Sequence, residues 1–106
     1  MKMTLRQLTL FECVARHMSY TRAAEEKHLT QPAVSMQIKQ LEEVVGTALL
    51  RKHGRIINLT DAGHEVLQLS RNVLQQIEQT QQHIKQITEG HQGRLKLVVA
   101  STVSAV

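Results

Sequence analysis

A chain of 106 residues holds one small domain with room for an appendage, which is too little to enclose the large buried cleft that most enzymes need. Thirteen Lys and Arg against nine Asp and Glu leave a net charge of +4, and the excess is uneven: residues 1–60 carry nine basic and five acidic groups, residues 61–89 only two and four. The amino-terminal part is therefore expected to face a polyanion, while the single Cys13 excludes an internal disulfide.

Thr4 is placed to cap a helix whose apolar residues Leu5, Leu8, Phe11 and Val14 or Ala15 recur at three-to-four spacing, which predicts a helix over 5–17 with one buried face. Cys13 lies on or beside that stripe and reads as a small core residue with an inert sulfur. Ser19 caps a second predicted helix over 20–27. Thr30 caps a third, over 31–45, with Pro32 in its first turn, where an amide donor would be unpaired anyway. Val34, Ile38, Leu41 and Val45 face inward, and Gly46 ends the helix. Small Ala23 and Ala24 let the second helix approach the third closely, and Leu29 fills the corner between them. Two short helices meeting at a tight corner over 19–38 form the geometry that delivers a helix into a DNA major groove. The free face of the third offers Gln31, Ser35, Met36, Gln37 and Lys39 to base edges and phosphates.

From residue 47 the pattern becomes two apolar runs around the basic segment Arg51-Lys52-His53-Gly54-Arg55, a hairpin over 50–59 in which Gly54 supplies the freedom of the turn. A basic turn is often just a solvated loop. Directly after a helix-turn-helix it reads as a wing on adjacent phosphates or the minor groove, with Lys52 and Arg55 foremost and Arg51 and His53 behind them.

Thr60 and Asp61 open the longest predicted element, a helix over 61–89. Within it Val66, Ser70, Val73, Ile77, Thr80, Ile84 and Ile87 fall at alternating spacings of four and three, with Leu67 and Leu74 widening the stripe. The stripe could pack on its own chain. Pairing with a second copy is the favoured reading, through Val66, Val73, Ile77, Ile84 and Ile87, because a small domain leaves the far half of so long a helix uncovered. Residues 90–93, Gly-His-Gln-Gly, are expected to form a flexible joint. Residues 94–100 alternate and then become wholly apolar, as in a buried strand lacking its sheet, which suggests the start of a further domain.

Catalytic signals are weak. The histidines at 17, 28, 53, 64, 83 and 91 show no i, i+4 pair on one helix and are read as having neither cysteine partners nor a carboxylate cluster of metal-site spacing, so neither metal nor cofactor is expected. Glu25-Glu26 and Glu42-Glu43 are adjacent and diverge around their helices instead of converging as an acid and a base. One Tyr, one Phe and no Trp argue against an aromatic platform for single strands. No leader of secretory type is read at the start, and the longest apolar run, 97–100, is too short for a membrane span. A cytoplasmic, non-enzymatic protein with no membrane partner is expected.

The combination of Leu5-Arg6-Gln7-Leu8 with Phe11, Ser19-Tyr20-Thr21-Arg22-Ala23-Ala24, Leu29-Thr30-Gln31-Pro32-Ala33-Val34-Ser35, Gln37-Ile38, Leu41-Glu42 and Leu59-Thr60-Asp61-Ala62-Gly63 resembles the LysR-type transcriptional regulators. The stretch from Thr30 to Glu43 looks most like the branch that controls Calvin-cycle carbon-fixation operons. The resemblance implies a mainly all-α fold. A winged helix-turn-helix domain would occupy 1–60, a dimerising linker helix 61–89, and the hinge and first strand of an effector-binding domain 90–106. It implies base contacts from Gln31, Pro32, Ala33, Ser35 and Met36, and phosphate contacts from Thr21 and Thr30. Lys52 and Arg55 would act on the wing, and Arg22, Gln37 and Lys39 complete the DNA-facing set.

Two departures from the family pattern matter: Met36 stands where many members have Arg, and Lys52 likewise, so an apolar contact and a point charge replace two guanidinium forks. A homodimer on an inverted-repeat duplex, tetramers in the full-length protein, and a small-molecule effector near Ser101 and Thr102 are further implications, the effector site being incomplete in this chain. The alternative function is a coiled-coil protein-interaction module without DNA binding.

Overall fold

The structure, a computed structural model, describes residues 2–92. In chain order it contains α1 (Leu5–His17), α2 (Tyr20–Lys27), α3 (Gln31–Val45), β1 (Leu50–His53), β2 (Ile56–Leu59) and α4 (Asp61–Gln92). The mainly helical fold with one small hairpin is the architecture expected from the sequence.

Local chemistry sets most boundaries. Thr4 and Gln7 form a reciprocal capping box, the Thr4 hydroxyl accepting from the Gln7 amide at 3.1 Å and the Gln7 side chain accepting from the Thr4 amide at 3.0 Å. Ser19 Oγ accepts from the Arg22 amide at 3.1 Å, and Thr30 Oγ1 from the Ala33 amide at 3.3 Å. Each cap satisfies a donor that the first helical turn leaves unpaired. The α2–α3 corner turns at His28, whose left-handed backbone (φ 57°) lets the Leu29 amide bond back to the Ala24 carbonyl at 2.9 Å.

The first compact unit, residues 1–73, has α1, α2 and α3 packed pairwise around Phe11, Val14, Ala23, Val34, Ile38 and Leu41. Phe11, Cys13, Val14, Ala23, Val34, Leu41 and Leu49 are wholly buried. Leu5, expected on the buried stripe of α1, is instead 48 % exposed, and Leu10 takes a place inside. Leu5 is the first residue of its helix, and the buried residues of α1 begin only at Gln7.

The hairpin pairs antiparallel with Leu50 opposite Leu59 and His53 opposite Ile56, around the two-residue turn Gly54–Arg55. Gly54 carries the positive φ, 66°. Strand alternation buries Ile57 and leaves Ile56 exposed. Two ties hold the hairpin base. The Glu42 carboxylate on α3 accepts from the amides of Leu49 and Leu50 at 2.8 and 3.3 Å. Thr60 donates its hydroxyl to the Ala48 carbonyl at 2.7 Å and its amide to that of Leu49 at 3.0 Å. The same Thr60 hydroxyl caps α4 by accepting from the Gly63 amide at 2.9 Å.

The opening of α4 belongs to this unit, and here two expectations need correction. Val66 is packed in the chain's own core beside Leu67, and Ser70 is buried with its hydroxyl on the Val66 carbonyl at 2.8 Å. Val66 is therefore not presented to a second copy. Over Gly90 to Gln92, where the joint was expected to begin, α4 instead continues as helix. A lone glycine costs a helix only about 1 kcal/mol relative to alanine, so it does not by itself end one.

The second unit begins at Leu74. Along its described part, Leu74 and Ile77 are half-buried and Ile84 and Ile87 are 55 % and 66 % exposed. Among the described residues, no helix is long and apolar enough to cross a membrane. The expected strand at 94–100 and the expected effector residues Ser101 and Thr102 lie outside the described residues.

Candidate nucleic-acid interface

Helix α3 is amphipathic in the literal sense that its two faces have different tasks. Val34, Ile38 and Leu41 seat it in the core, which turns Gln31, Pro32, Met36 and Lys39 outward and leaves Ala33, Ser35 and Gln37 half-exposed. Met36 is 57 % exposed, an unbranched apolar side chain standing among polar ones. Gln31 Nε2 donates to Ser35 Oγ at 2.9 Å, one helical turn away. The amide keeps its carbonyl oxygen and a second N–H for an outside partner, and the serine keeps its hydroxyl proton.

Thr30 is exposed and its oxygen is used as a cap, so its hydroxyl proton is still available to an acceptor. Thr21 and Arg22 are exposed in the first turn of α2. Lys52 and Arg55 are exposed on the hairpin, Arg55 at its tip. Lys52 Nζ lies 6.0 Å from the centre of the Tyr20 ring, a cation–π contact at the edge of useful range. Tyr20 thus joins the candidate surface although its sequence position gives no hint of it. Burial, with the Glu42 carboxylate adding to it, pushes the Tyr20 hydroxyl above its ordinary pKa, so it stays a neutral donor.

The cations divide into two sets. Arg16 is held by Glu12 at 3.0 Å and by Glu26 at 2.8 Å, Lys27 lies 3.8 Å from Glu26, and Lys85 3.9 Å from Glu89. Among the described residues, Lys2, Arg6, Arg22, Lys39, Arg51, Lys52, Arg55 and Arg71 have no carboxylate in ion-pair range. An unpaired cation keeps its full charge for a polyanion, and five of these eight, Arg22, Lys39, Arg51, Lys52 and Arg55, sit on α2, α3 and the hairpin.

A second cluster was not expected. Cys13 and His17 are four residues apart on α1, and Glu26 on α2 meets both, with donor atoms of all three within 4.8 Å of one another. His17 Nε2 lies 2.7 Å from Glu26 Oε1. The reading that the histidines lack cysteine and carboxylate neighbours is corrected at this point. The Cys13–His17 spacing was available in the sequence, but Glu26 joins only through the α1–α2 packing. Hydrogen bonds from Arg16 and His17 hold the Glu26 carboxyl well below the usual carboxylate range, and Arg16 is raised by its bonds to Glu26 and Glu12. Burial, then the Glu26 charge, pushes the Cys13 thiol up.

The order α1, helix-turn-helix, hairpin and long helix has known counterparts. Residues 5–64 match the family described as "Bacterial regulatory helix-turn-helix protein, lysR family".

The chain belongs to the LysR family.

The RuBisCO operon transcriptional regulator of Allochromatium vinosum is 48 % identical over 104 residues, which are 98 % of this chain and 34 % of that protein. The HTH-type transcriptional regulator CfxR of Cupriavidus necator is 44 % identical over 100 residues, 94 % of this chain and 32 % of that protein. Among solved structures, the BenM_DBD/catB site 1 DNA complex aligns with a TM-score of 0.78 at 36 % identity, covering 84 % of this chain and 96 % of that one. The chain spans about a third of the length of the curated relatives it matches. The family and these relatives are transcriptional regulators.

Proposed function

We propose that this LysR-family chain is the duplex-reading portion of a dimeric transcriptional regulator that acts on a carbon-fixation operon. The observation that carries the reading is the free face of α3, with Gln31 and Met36 outward, Ser35 half-exposed between them, and unpaired cations on the helix and on the hairpin. Gln31, Pro32, Ala33, Ser35 and Met36 meet base edges. Gln31 offers the donor and acceptor pair that suits adenine, and Met36 an apolar contact that suits a thymine methyl. Thr21, Arg22, Thr30, Gln37 and Lys39 hold phosphates and set the register, while Lys52 and Arg55 act as a wing. The name of the Allochromatium relative, a RuBisCO operon transcriptional regulator, supports the carbon-fixation operon as target. A small-molecule effector and tetramers are the corresponding proposals for the whole protein.

The experiment is a salt titration of affinity for an inverted-repeat duplex. Neutralised phosphates release counterions, so log affinity falls linearly with log salt at about 0.9 per phosphate contacted. Lys52→Ala and Arg55→Ala should each weaken binding to all duplexes alike and lower the slope by about one. Unchanged slopes in both variants would remove the wing from the interface. A flat profile in the parent chain would favour the alternative of a helix-mediated protein-interaction module, whose apolar contact responds little to salt.

The dimer contact is assigned to Val73, Ile77, Ile84 and Ile87, since Val66 is taken up by its own core. Two copies joined this way would offer their recognition helices to major grooves roughly 34 Å apart or a multiple of that. Ile77→Asp should convert the dimer to monomer in sedimentation, because an unpaired buried charge costs about 3–5 kcal/mol. A variant that still sediments as a dimer places the contact elsewhere.

A further inference from the structure

We propose that Cys13, His17 and Glu26 form a binding site for a single thiophilic divalent metal ion of the zinc class, joining α1 to α2. The three donors, one sulfur, one imidazole nitrogen and one carboxylate oxygen, already lie within 4.8 Å of one another. Tetrahedral zinc, with bonds of about 2.3 Å to sulfur and 2.0 Å to nitrogen or oxygen, holds its donors roughly 3.5 Å apart. The closure required is on the order of an ångström, within reach of the rotatable side chains of His17 and Glu26.

The layout suits an ion entering from outside. Cys13 is fully buried and is the inner donor, while the His17 and Glu26 side chains are 27 % and 35 % exposed at the outer edge. Residues four apart on a helix stand one above the other, so Cys13 and His17 present donors on the same side of α1. Three protein ligands leave a fourth position for water.

The charges also balance. Glu26 is now gripped by Arg16 Nη1 and Nη2, both at 2.8 Å, and by His17. Arg16 also holds Glu12, at 3.0 and 3.3 Å, and keeps that partner when a metal takes Glu26. On binding, the Cys13 thiol gives its proton to solvent. A divalent ion with one thiolate and one carboxylate is then neutral, as is the remaining Arg16–Glu12 pair. No electron transfer is involved.

The test uses cobalt(II), whose sulfur ligation gives a charge-transfer absorbance band that oxygen and nitrogen ligands do not give. It is titrated into the reduced, untagged chain, where the only thiol is Cys13. The expected result is a band that saturates at one equivalent and is removed by one equivalent of zinc. His17→Gln and Glu26→Gln alter side chains outside the core, so circular dichroism should be unchanged, and each should weaken cobalt binding at least tenfold. The proposal is overturned if the band is absent, if it saturates at half an equivalent and so needs two chains per ion, or if either variant binds as tightly as the parent.

Discussion

Phe11→Ala is expected to remove most of the stability of the amino-terminal unit. Phe11 is wholly buried at the heart of α1 and heads the large side chains that are fully enclosed. Truncating a buried phenylalanine typically costs about 3–5 kcal/mol, the lost transfer free energy plus the cavity left behind. A unit of residues 1–73 would be stable by roughly 4–11 kcal/mol at 0.05–0.15 kcal/mol per residue. Denaturant unfolding would show the midpoint moving far to the left with little change in slope. The functional corollary is that duplex affinity falls for all sequences together, because α1 supports both α2 and α3 without contributing to the reading face. A midpoint shift equivalent to under about 1 kcal/mol would mean that the core can close over the gap, against the usual behaviour of packed interiors.

Gly63→Ala is expected to destabilise although alanine is the better helix former. A Cβ at Gly63 would overlap the carbonyl oxygen of Leu49 and press on the Leu59 side chain. That carbonyl already accepts from the Thr60 amide at 3.0 Å, and a backbone atom cannot rotate aside as a side chain does. The intrinsic gain of about 1 kcal/mol for alanine over glycine in a helix is set against an overpacking penalty of about 1–3 kcal/mol. The penalty should win here, because relief requires separating the start of α4 from the base of the hairpin. Thermal unfolding should report a lower midpoint, and Lys52 and Arg55, carried on that hairpin, should contribute less to duplex affinity. An equal or raised midpoint would show that the two segments part without loss.

These two residues illustrate what separates local from long-range information. Thr4, Ser19 and Thr30 announced the starts of α1, α2 and α3 because capping hydrogen bonds close within three residues. Gly54 marked the hairpin turn for the same reason. The outward face of α3 was legible from the spacing of Val34, Ile38 and Leu41, since fixing one face of a helix fixes the other. Gly90 was misleading: a helix with bonded neighbours tolerates one glycine, and α4 continues through it.

The sequence by itself therefore determined the helical elements of the first unit, the hairpin and the set of residues that α3 turns outward, all from contacts spanning a turn or two. Only the tertiary structure decided that Leu5 is exposed, that Val66 belongs to its own core, that Glu42 ties α3 to the hairpin, and that Cys13, His17 and Glu26 meet. Each of those depends on which distant segment packs against which, and a local pattern of polar and apolar residues leaves that choice open until the whole core is assembled.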